Sequence, residues 1–387
     1  MGGPNRATRF SERLARLEPS PIREILSVIE RPGMISFAGG LPAAETFPEI
    51  ELAAVPARFL QYGASEGETA LRERIAADLD AIGLACSPAQ VLVLSGSQQG
   101  IDLVAKLFID PGTPVAVEAP TYLAALQVFR FFGARFATLA PHLPAAGMAS
   151  GPRPAFAYAI PTFQNPTGHC YGAAERGALA AACDELAVPM FEDDPYRELA
   201  YDACERMPVC ARLKRALWVY QGSFSKTLAP GLRLGYLAAS QELMPLLTRV
   251  KQAADLHSNR VSQWYVLGQL NDPGRAKRLA DVVAIYRRKR DFFARALEKH
   301  LSGLARWQVP PGGLFFWLML ARRIDTRELL PRAIERGVAF MPGEAFFPDS
   351  SAGYGTLRLN FSHASKEQVE CGLAILAELL HETGASA

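Results

Sequence analysis

Lys226 stands among hydroxyl side chains in "GSFSKTLAPGLRLGY" (222–236), with Ser223 and Ser225 before it and Arg233 seven residues after it. Three chemistries suit such an amine. A loop lysine is commonly solvated, and serine-rich loops commonly make turns. "SKT" is also the end of a phosphate-binding P-loop, but no glycine precedes Lys226 and none stands at the required upstream spacing. The third use is a covalent nucleophile that works beside a held anion.

Other stretches offer complementary groups. Gly96-Ser97-Gln98 opens a helical pattern, so its N–H groups and dipole suit a phosphate; Ser97 is equally suited to be a plain N-cap. "PTFQNPTG" (161–168) contains consecutive turn signals, and Asn165 there either serves the turn or offers its amide to a ligand. "FEDDPY" (191–196) brings three acids to the end of an apolar run, where carboxylates are costly without partners. A magnesium site is one reading, and a single carboxylate held for a cationic ring nitrogen is another. Asp193 and Tyr196 are spaced to address two atoms of one ring. An anion cup, an amide, a carboxylate, a phenol and an amine together match pyridoxal 5′-phosphate, whose aldehyde bonds a lysine and whose ring nitrogen takes an acidic partner.

These groups become neighbours only if the runs that carry them lie side by side. Between residues 90 and 240 apolar runs alternate with helical patterns. "VLVLSG" (91–96), "PVAVEAP" (114–120), "FAYAIP" (156–161), "VPMFEDD" (188–194), "LWVYQGS" (217–223) and "RLGYLAA" (233–239) read as strands. Such strands, separated by helices, predict an α/β fold with a mostly parallel sheet covered on both faces. Ligands of these sheets bind beyond the carboxyl ends of the strands, where the groups above stand. The C-terminal part has fewer strands and long helical stretches, and reads as a smaller α+β domain. The expected division is an N-terminal segment over 1–45 that packs with the small domain and the site, a large domain over 46–272 and a small domain over 273–387. "PHLPAAGMASGPRPA" (141–155) reads as a surface loop.

Composition narrows the function classes. The 387 residues are 49% apolar and 21% charged, ordinary for a globular chain, and the net charge of +2 gives no reason to expect a nucleic-acid or membrane partner. The six cysteines show no metal-ligand spacing and no disulfide framework, so free thiols in a reducing, cytoplasmic compartment are expected. "MGGPNRATRFSERLARLEPS" (1–20) lacks the apolar core of a secretory signal, and the start does not fit a myristoylation motif.

The chain resembles the fold-type-I, class I/II aminotransferases that depend on pyridoxal 5′-phosphate. It is most similar to the branch of 2-aminoadipate and kynurenine aminotransferases and to the aminotransferase half of MocR-type regulators. The resemblance runs in order through "SPIREIL", "ISFAGGLP", "QYGASEGETALRE", "LSGSQQGIDL", "VEAPTYL", "PTFQNPTG", "FEDDPY", "GSFSKTLAPGLRLGY", "PGGLFFWL", "MPGEAF" and "LRLNFS". It implies that Lys226 bonds the cofactor aldehyde and later shuttles the proton. Asp193 pairs with the ring nitrogen, Asn165 and Tyr196 with the ring hydroxyl, and Tyr122 stacks on the ring. Ser97, Gln98, Ser223, Ser225 and Arg233 bind the phosphate. Arg358, in an apolar strand pattern, takes the substrate α-carboxylate. Tyr62 resembles the tyrosine that crosses a homodimer interface to the neighbour's phosphate. Glu192, Asp194, Gly177, His169 and Cys170 are left as structural.

The implied reaction moves the α-amino group of an amino acid to a 2-oxo acid such as 2-oxoglutarate. Lys226 must then be neutral, so its pKa is expected to fall to roughly 7–8. A decarboxylase, lyase or racemase of the same fold would keep the cofactor and break another bond. A ligand-sensing regulator would need a DNA-binding domain before "SPIREIL" (20–26). Arg23 in that segment is expected to meet a distal carboxylate, and Gly40 to let the chain pass close to the substrate. The expected donors are 2-aminoadipate, glutamate, and leucine-like or aromatic amino acids.

Overall fold

The computed structural model describes residues 10–17, 33–51, 54–139 and 144–385. Thirteen strands are present among them: β1 (Ile35–Ser36), β2 (Val91–Leu94), β3 (Pro114–Val117), β4 (Arg135–Thr138), β5 (Ala157–Ala159), β6 (Met190–Asp193), β7 (Trp218–Ser223), β8 (Gly235–Ala239), β9 (Ala305–Trp307), β10 (Phe315–Leu320), β11 (Val338–Ala339), β12 (Met341–Pro342) and β13 (Thr356–Asn360). Seven form one sheet in the order β2-β8-β7-β6-β5-β3-β4. Its pairs are parallel except for β8, which runs antiparallel to β2 and β7.

The near-continuous apolar strands follow from burial on both faces. Along β2, Val91 and Val93 join one core and Leu92 and Leu94 the other, the period-2 alternation of a strand. The helices Thr69–Asp80 and Ala173–Leu186 cover the first face, through Leu71, Ile75, Leu79, Leu179 and Cys183. The helices Ser97–Phe108 and Leu123–Phe132 cover the second, through Ile101, Val104, Leu126 and Phe129.

The expected surface loop over 141–155 is corrected in part: a short helix spans Pro144–Ala149. Met148, fully buried in the first core, gives that segment a reason to be ordered. The edge strand β4 is not among the expected strands; its half-exposed "RFAT" lacks the apolar run that marks the others.

The C-terminal part holds the antiparallel sheet β12-β13-β10-β9 and the helices Arg275–Leu301, Thr326–Glu335 and Lys366–Ala385. Residues 35–38 are stitched onto it. β1 pairs in parallel with β11, the Phe37 N–H donates to Ala339, and the Asn360 N–H donates to the Phe37 carbonyl. The Phe37 ring meets Phe293 edge-on at 5.4 Å inside the core of this part. Gly40 is thereby delivered to the carboxyl edge of the large sheet. Among the described residues no helix is long and apolar enough to cross a membrane.

Candidate active site

The reversed strand β8 explains how Arg233 reaches the carboxyl edge. Because β8 is antiparallel, its first residues lie where β2 and β7 end, and Gly235 is in register with both Leu94 and Ser223. Gly96, Ser223 and Arg233 therefore gather at one row. Gly96 has φ +82°, and a Cβ there would lie 2.5 Å from the Arg233 guanidinium. It opens the helix Ser97–Phe108, whose N-terminus no side chain caps. Among the described residues no carboxylate forms an ion pair with Arg233. A cation set over the positive end of a helix is unfavourable unless an anion comes between them. Ser97, Gln98 and Ser223 border the same place, and the Ser225 N–H donates to Ser223 Oγ at 3.2 Å.

The three acids of "FEDDPY" separate because a strand turns alternate side chains to opposite faces. Glu192 accepts from the Cys210 N–H, with the Arg176 guanidinium 3.8 Å away. Asp194 accepts from Tyr220 at 2.9 Å and pairs with Arg197. Asp193 is alone on the other face, buried, and accepts from Tyr158 at 2.8 Å and from the Gln221 amide at 2.9 Å. Burial pushes its pKa up to about 6, against the lowering pull of those two donors.

Lys226 Nζ donates to the Gly40 carbonyl at 2.9 Å. Burial, and then the charges of Arg358 and Arg233, bring its pKa down to about 8. With that value a minority of the amine is neutral near pH 7 and most of it is neutral above pH 8, at the upper end of the expected range.

Arg358 lies on β13, buried, donating to Asn165 Oδ1 at 2.8 Å and to the Ala38 carbonyl at 2.7 Å. Its Nε has no partner among the described residues. Its guanidinium carbon is 4.1 Å from the Phe315 ring centroid and 5.0 Å from that of Phe346. No carboxylate among the described residues forms an ion pair with it. Desolvation lowers its pKa to about 10, and it remains a cation.

Tyr122 donates to Gln98 at 3.5 Å, and Tyr196 meets Phe315 edge-on at 5.7 Å. Burial raises the pKa of both phenols, so both stay neutral. The charges of Asp193 and Arg358 act on both phenols, the first raising and the second lowering their pKa. Tyr62 stands apart: its side chain is 76% exposed, its ring meets His257 at 5.8 Å, and its carbonyl accepts from Arg260. Arg23 lies outside the described residues. His169 pairs with Glu175, and Cys170 donates to the Glu205 carbonyl. Sequence reasoning misses Tyr158, Gln221, Phe315 and Phe346. Each is an apolar or neutral residue within a strand or core run, and nothing in its type separates it from core.

The chain's own groups fit pyridoxal 5′-phosphate. The uncompensated cation over a helix N-terminus suits its phosphate, the buried Asp193 its ring nitrogen, and the Lys226 amine, which burial makes easier to deprotonate, its aldehyde.

The family model "Aminotransferase class I and II" matches residues 35–376. The chain is 39% identical to the 2-aminoadipate transaminase of Thermus thermophilus, over 96% of each chain. It is 36% identical to aromatic-amino-acid aminotransferase 1 of Thermococcus litoralis, over 96% of this chain and 94% of that one. Its structure matches that of the α-aminoadipate aminotransferase of Thermus thermophilus, complexed with N-(5′-phosphopyridoxyl)-L-leucine. The TM-score is 0.87 and the identity 37%, over 98% of both chains. The chain belongs to the class I and II aminotransferases, enzymes that use pyridoxal 5′-phosphate.

Proposed function

We propose that this aminotransferase takes 2-aminoadipate, glutamate, and leucine-like or aromatic amino acids as donors, with 2-oxoglutarate as acceptor. The carrying observation is Arg358: a buried cation with no carboxylate of the described chain beside it, acting on the Lys226 amine, whose pKa is brought down to about 8. That arrangement suits a ligand that brings its own carboxylate and an amino group or oxo group next to it. The names of the relatives support acidic and aromatic donors, and the phosphopyridoxyl-leucine bound in the Thermus enzyme supports an aliphatic one.

When bound, pyridoxal 5′-phosphate supplies an aldehyde that bonds amino groups and a ring that takes up the electron pair released at the substrate α-carbon. The residues of the chain do the rest. Arg233, Ser97, Gln98, Ser223 and Ser225 hold the phosphate. Asp193 keeps the ring nitrogen protonated, Asn165 and Tyr196 fix the ring hydroxyl, and Tyr122 covers one ring face. Lys226 would accept the substrate α-proton on Nζ and deliver it to the carbon that the cofactor's aldehyde supplies, which requires the neutral amine. Arg358 orients the α-carboxylate, and Gly40 passes close to the substrate. Arg23 meets the distal carboxylate of acidic donors and leaves room for apolar ones. With the chain divided into an N-terminal segment (1–45), a large domain (46–272) and a small domain (273–387), the substrate lies between the last two. The exposed Tyr62 and its exposed neighbour Leu60 suit a twofold homodimer in which Tyr62 serves the partner's phosphate. The free cysteines suit a reducing, cytoplasmic setting.

The test is a panel of amino donors with 2-oxoglutarate, following glutamate and oxo-acid formation. Turnover is expected with the four donor types, and Lys226→Ala is expected to lose at least about a thousandfold in kcat. Arg23→Ala is expected to weaken kcat/KM for acidic donors by about 2–3 kcal/mol and to spare apolar ones. Release of carbon dioxide without oxo acid would overturn transamination. Equal losses for both donor classes would overturn the role of Arg23.

A further inference from the structure

Gln221 sits on β7 directly in register with Asp193 on β6. It is fully buried, and its amide donates to Asp193 Oδ1 at 2.9 Å. Its own carbonyl oxygen, Oε1, is buried with no partner among the described residues. The space that holds this oxygen exists because residue 100, inside the helix Ser97–Phe108, is a glycine: any Cβ there would collide with Gln221 Oε1. A buried amide that leaves one end unbonded does little for the fold; leucine or methionine would fill the same space without that penalty. All of the hydrogen bonding of the Gln221 amide goes to Asp193. Tyr158 supplies the matching donor on the other carboxylate oxygen, Oδ2, at 2.8 Å.

The orientation of the amide carries chemical information. Turned over, it would set Oε1 against the lone pairs of the carboxylate. As it stands, it favours the ionised acid and fixes the rotation of the carboxylate about its own axis. We infer that Gln221 is a positioning residue: it holds Asp193 ionised and aimed at the cofactor's ring nitrogen, and Gly100 makes room for it. This rests on the reading of Asp193 as the partner of that nitrogen.

The electrostatics agree with this geometry. Burial drives the Asp193 pKa up, and the hydrogen bond from Gln221 is the foremost influence that lowers it. The other titratable groups facing Asp193 are Asp194, Tyr158, Tyr122 and Tyr196. The three tyrosines are pushed up and stay neutral across the working range, and Asp194 is the same in every variant below. As pH falls through about 6, Asp193 takes up a proton and loses its hold on a protonated ring nitrogen. Without Gln221 that loss moves to higher pH.

The experiment measures the dissociation constant of pyridoxal 5′-phosphate from the cofactor-free full chain, by fluorescence quenching between about pH 5.5 and 9. It compares wild type, Gln221→Leu, Asp193→Asn and the double variant. Gln221→Met, which keeps the side-chain length, replaces Gln221→Leu if that variant unfolds. The inflection in Gln221→Leu is expected to move up by about one pH unit, with binding about twofold weaker at pH 7, approaching tenfold weaker near pH 5.5, and converging on wild type at the alkaline end. The double variant is expected to match Asp193→Asn. A loss that is equal at every pH, or that persists in the Asp193→Asn background, would overturn the inference and leave Gln221 a packing residue. Wild-type binding by Asp193→Asn alone would instead overturn the reading of Asp193.

Discussion

Arg176 and Arg358 are both buried, and their surroundings differ in kind. Arg176 Nε donates to the Tyr171 carbonyl at 2.9 Å. Its other two nitrogens reach the carbonyls of Met207, Pro161 and Glu205, and Thr162 Oγ1. The Glu192 carboxylate lies 3.8 Å away. This arginine is finished by its own chain: it ties the turn after β5 to the segment around residues 205–207. Arg358 has two hydrogen bonds, an orphaned Nε, two aromatic faces and no carboxylate among the described residues. Burying a charge without a counter-charge is expensive. A charge left without a counter-charge in this way suits a ligand that brings one. Counter-charge alone separates Asp194, paired with Arg197, from Asp193, which has only neutral donors: Asp194 Oδ1 has no hydrogen-bond partner among the described residues, while both Asp193 oxygens are bonded.

The largest expected effect tests this contrast directly. Arg358→Met removes a cation that the free chain does not neutralise. It is expected to leave the urea midpoint unchanged or raised, and to lower kcat/KM about a hundredfold, the scale of a lost charge-assisted hydrogen bond to a carboxylate. Arg176→Met takes the counter-charge from the buried Glu192 and a donor from four backbone carbonyls. It is expected to cost roughly 3–5 kcal/mol of stability, while molecules that remain folded keep nearly wild-type kcat/KM. Denaturation curves and steady-state kinetics on both variants decide the matter. If Arg358→Met lost the stability and Arg176→Met lost the kinetics, the contrast would be wrong.

A smaller effect links Lys226 to the same arginine. The Lys226 pKa is depressed to about 8, first by burial and then by Arg358 and Arg233. Below that pH the amine is protonated and cannot attack an aldehyde; above it the amine is free. Capture of pyridoxal 5′-phosphate by the cofactor-free chain should therefore speed up about tenfold between pH 7 and 9, then level off. Arg358→Met withdraws one of the charges that lower this pKa, so the curve should shift to higher pH. Arg176→Met should leave it in place. Stopped-flow absorbance at several pH values reads both outcomes, and a curve unmoved by Arg358→Met would remove the arginine from the setting of the amine.

Legibility in the sequence follows the same line between finished and unfinished groups. Six apolar runs separated by helical patterns read correctly as the strands of a mostly parallel sheet, because burial on both faces leaves a strong signal. Lys226, Asp193, Asn165 and Arg233 stand out as polar groups at the ends of such runs. Arg358 stands out only as a charge inside an apolar strand. Its setting depends on β10, β13 and residues 35–38 meeting across more than 300 residues of chain, which no local pattern encodes. Tyr158, Gln221 and Gly100 cannot be read at all: a tyrosine and a glutamine within strands and a glycine within a helix are ordinary in a core. The helix Pro144–Ala149 is hidden by its proline and glycine content, although Met148 is buried there.

The smallest expected effect concerns the rings that hold Arg358. Phe315 and Phe346 face the guanidinium at 4.1 and 5.0 Å, and no such ring lies over Arg176 among the described residues. The difference has a physical reason. A π face attracts a cation without occupying its N–H groups, so it offsets part of the desolvation cost and leaves the donors free for a carboxylate. An acidic residue in either place would stabilise the free arginine more and compete with the substrate. The rings are themselves fixed: Phe315 lies edge-on to Tyr196, and Phe346 edge-on to Trp317 at 5.8 Å. Phe315→Leu keeps an apolar filler and removes the quadrupole. With about 1 kcal/mol of cation–π attraction lost, KM for amino and oxo acids should rise about fivefold in Phe315→Leu, with kcat nearly kept. Phe346→Leu, at the greater distance, should show the weaker change. A fall in kcat at constant KM would mean that the rings shape the reacting centre through Tyr196, and that the lodging of Arg358 rests on Asn165 and the Ala38 carbonyl alone.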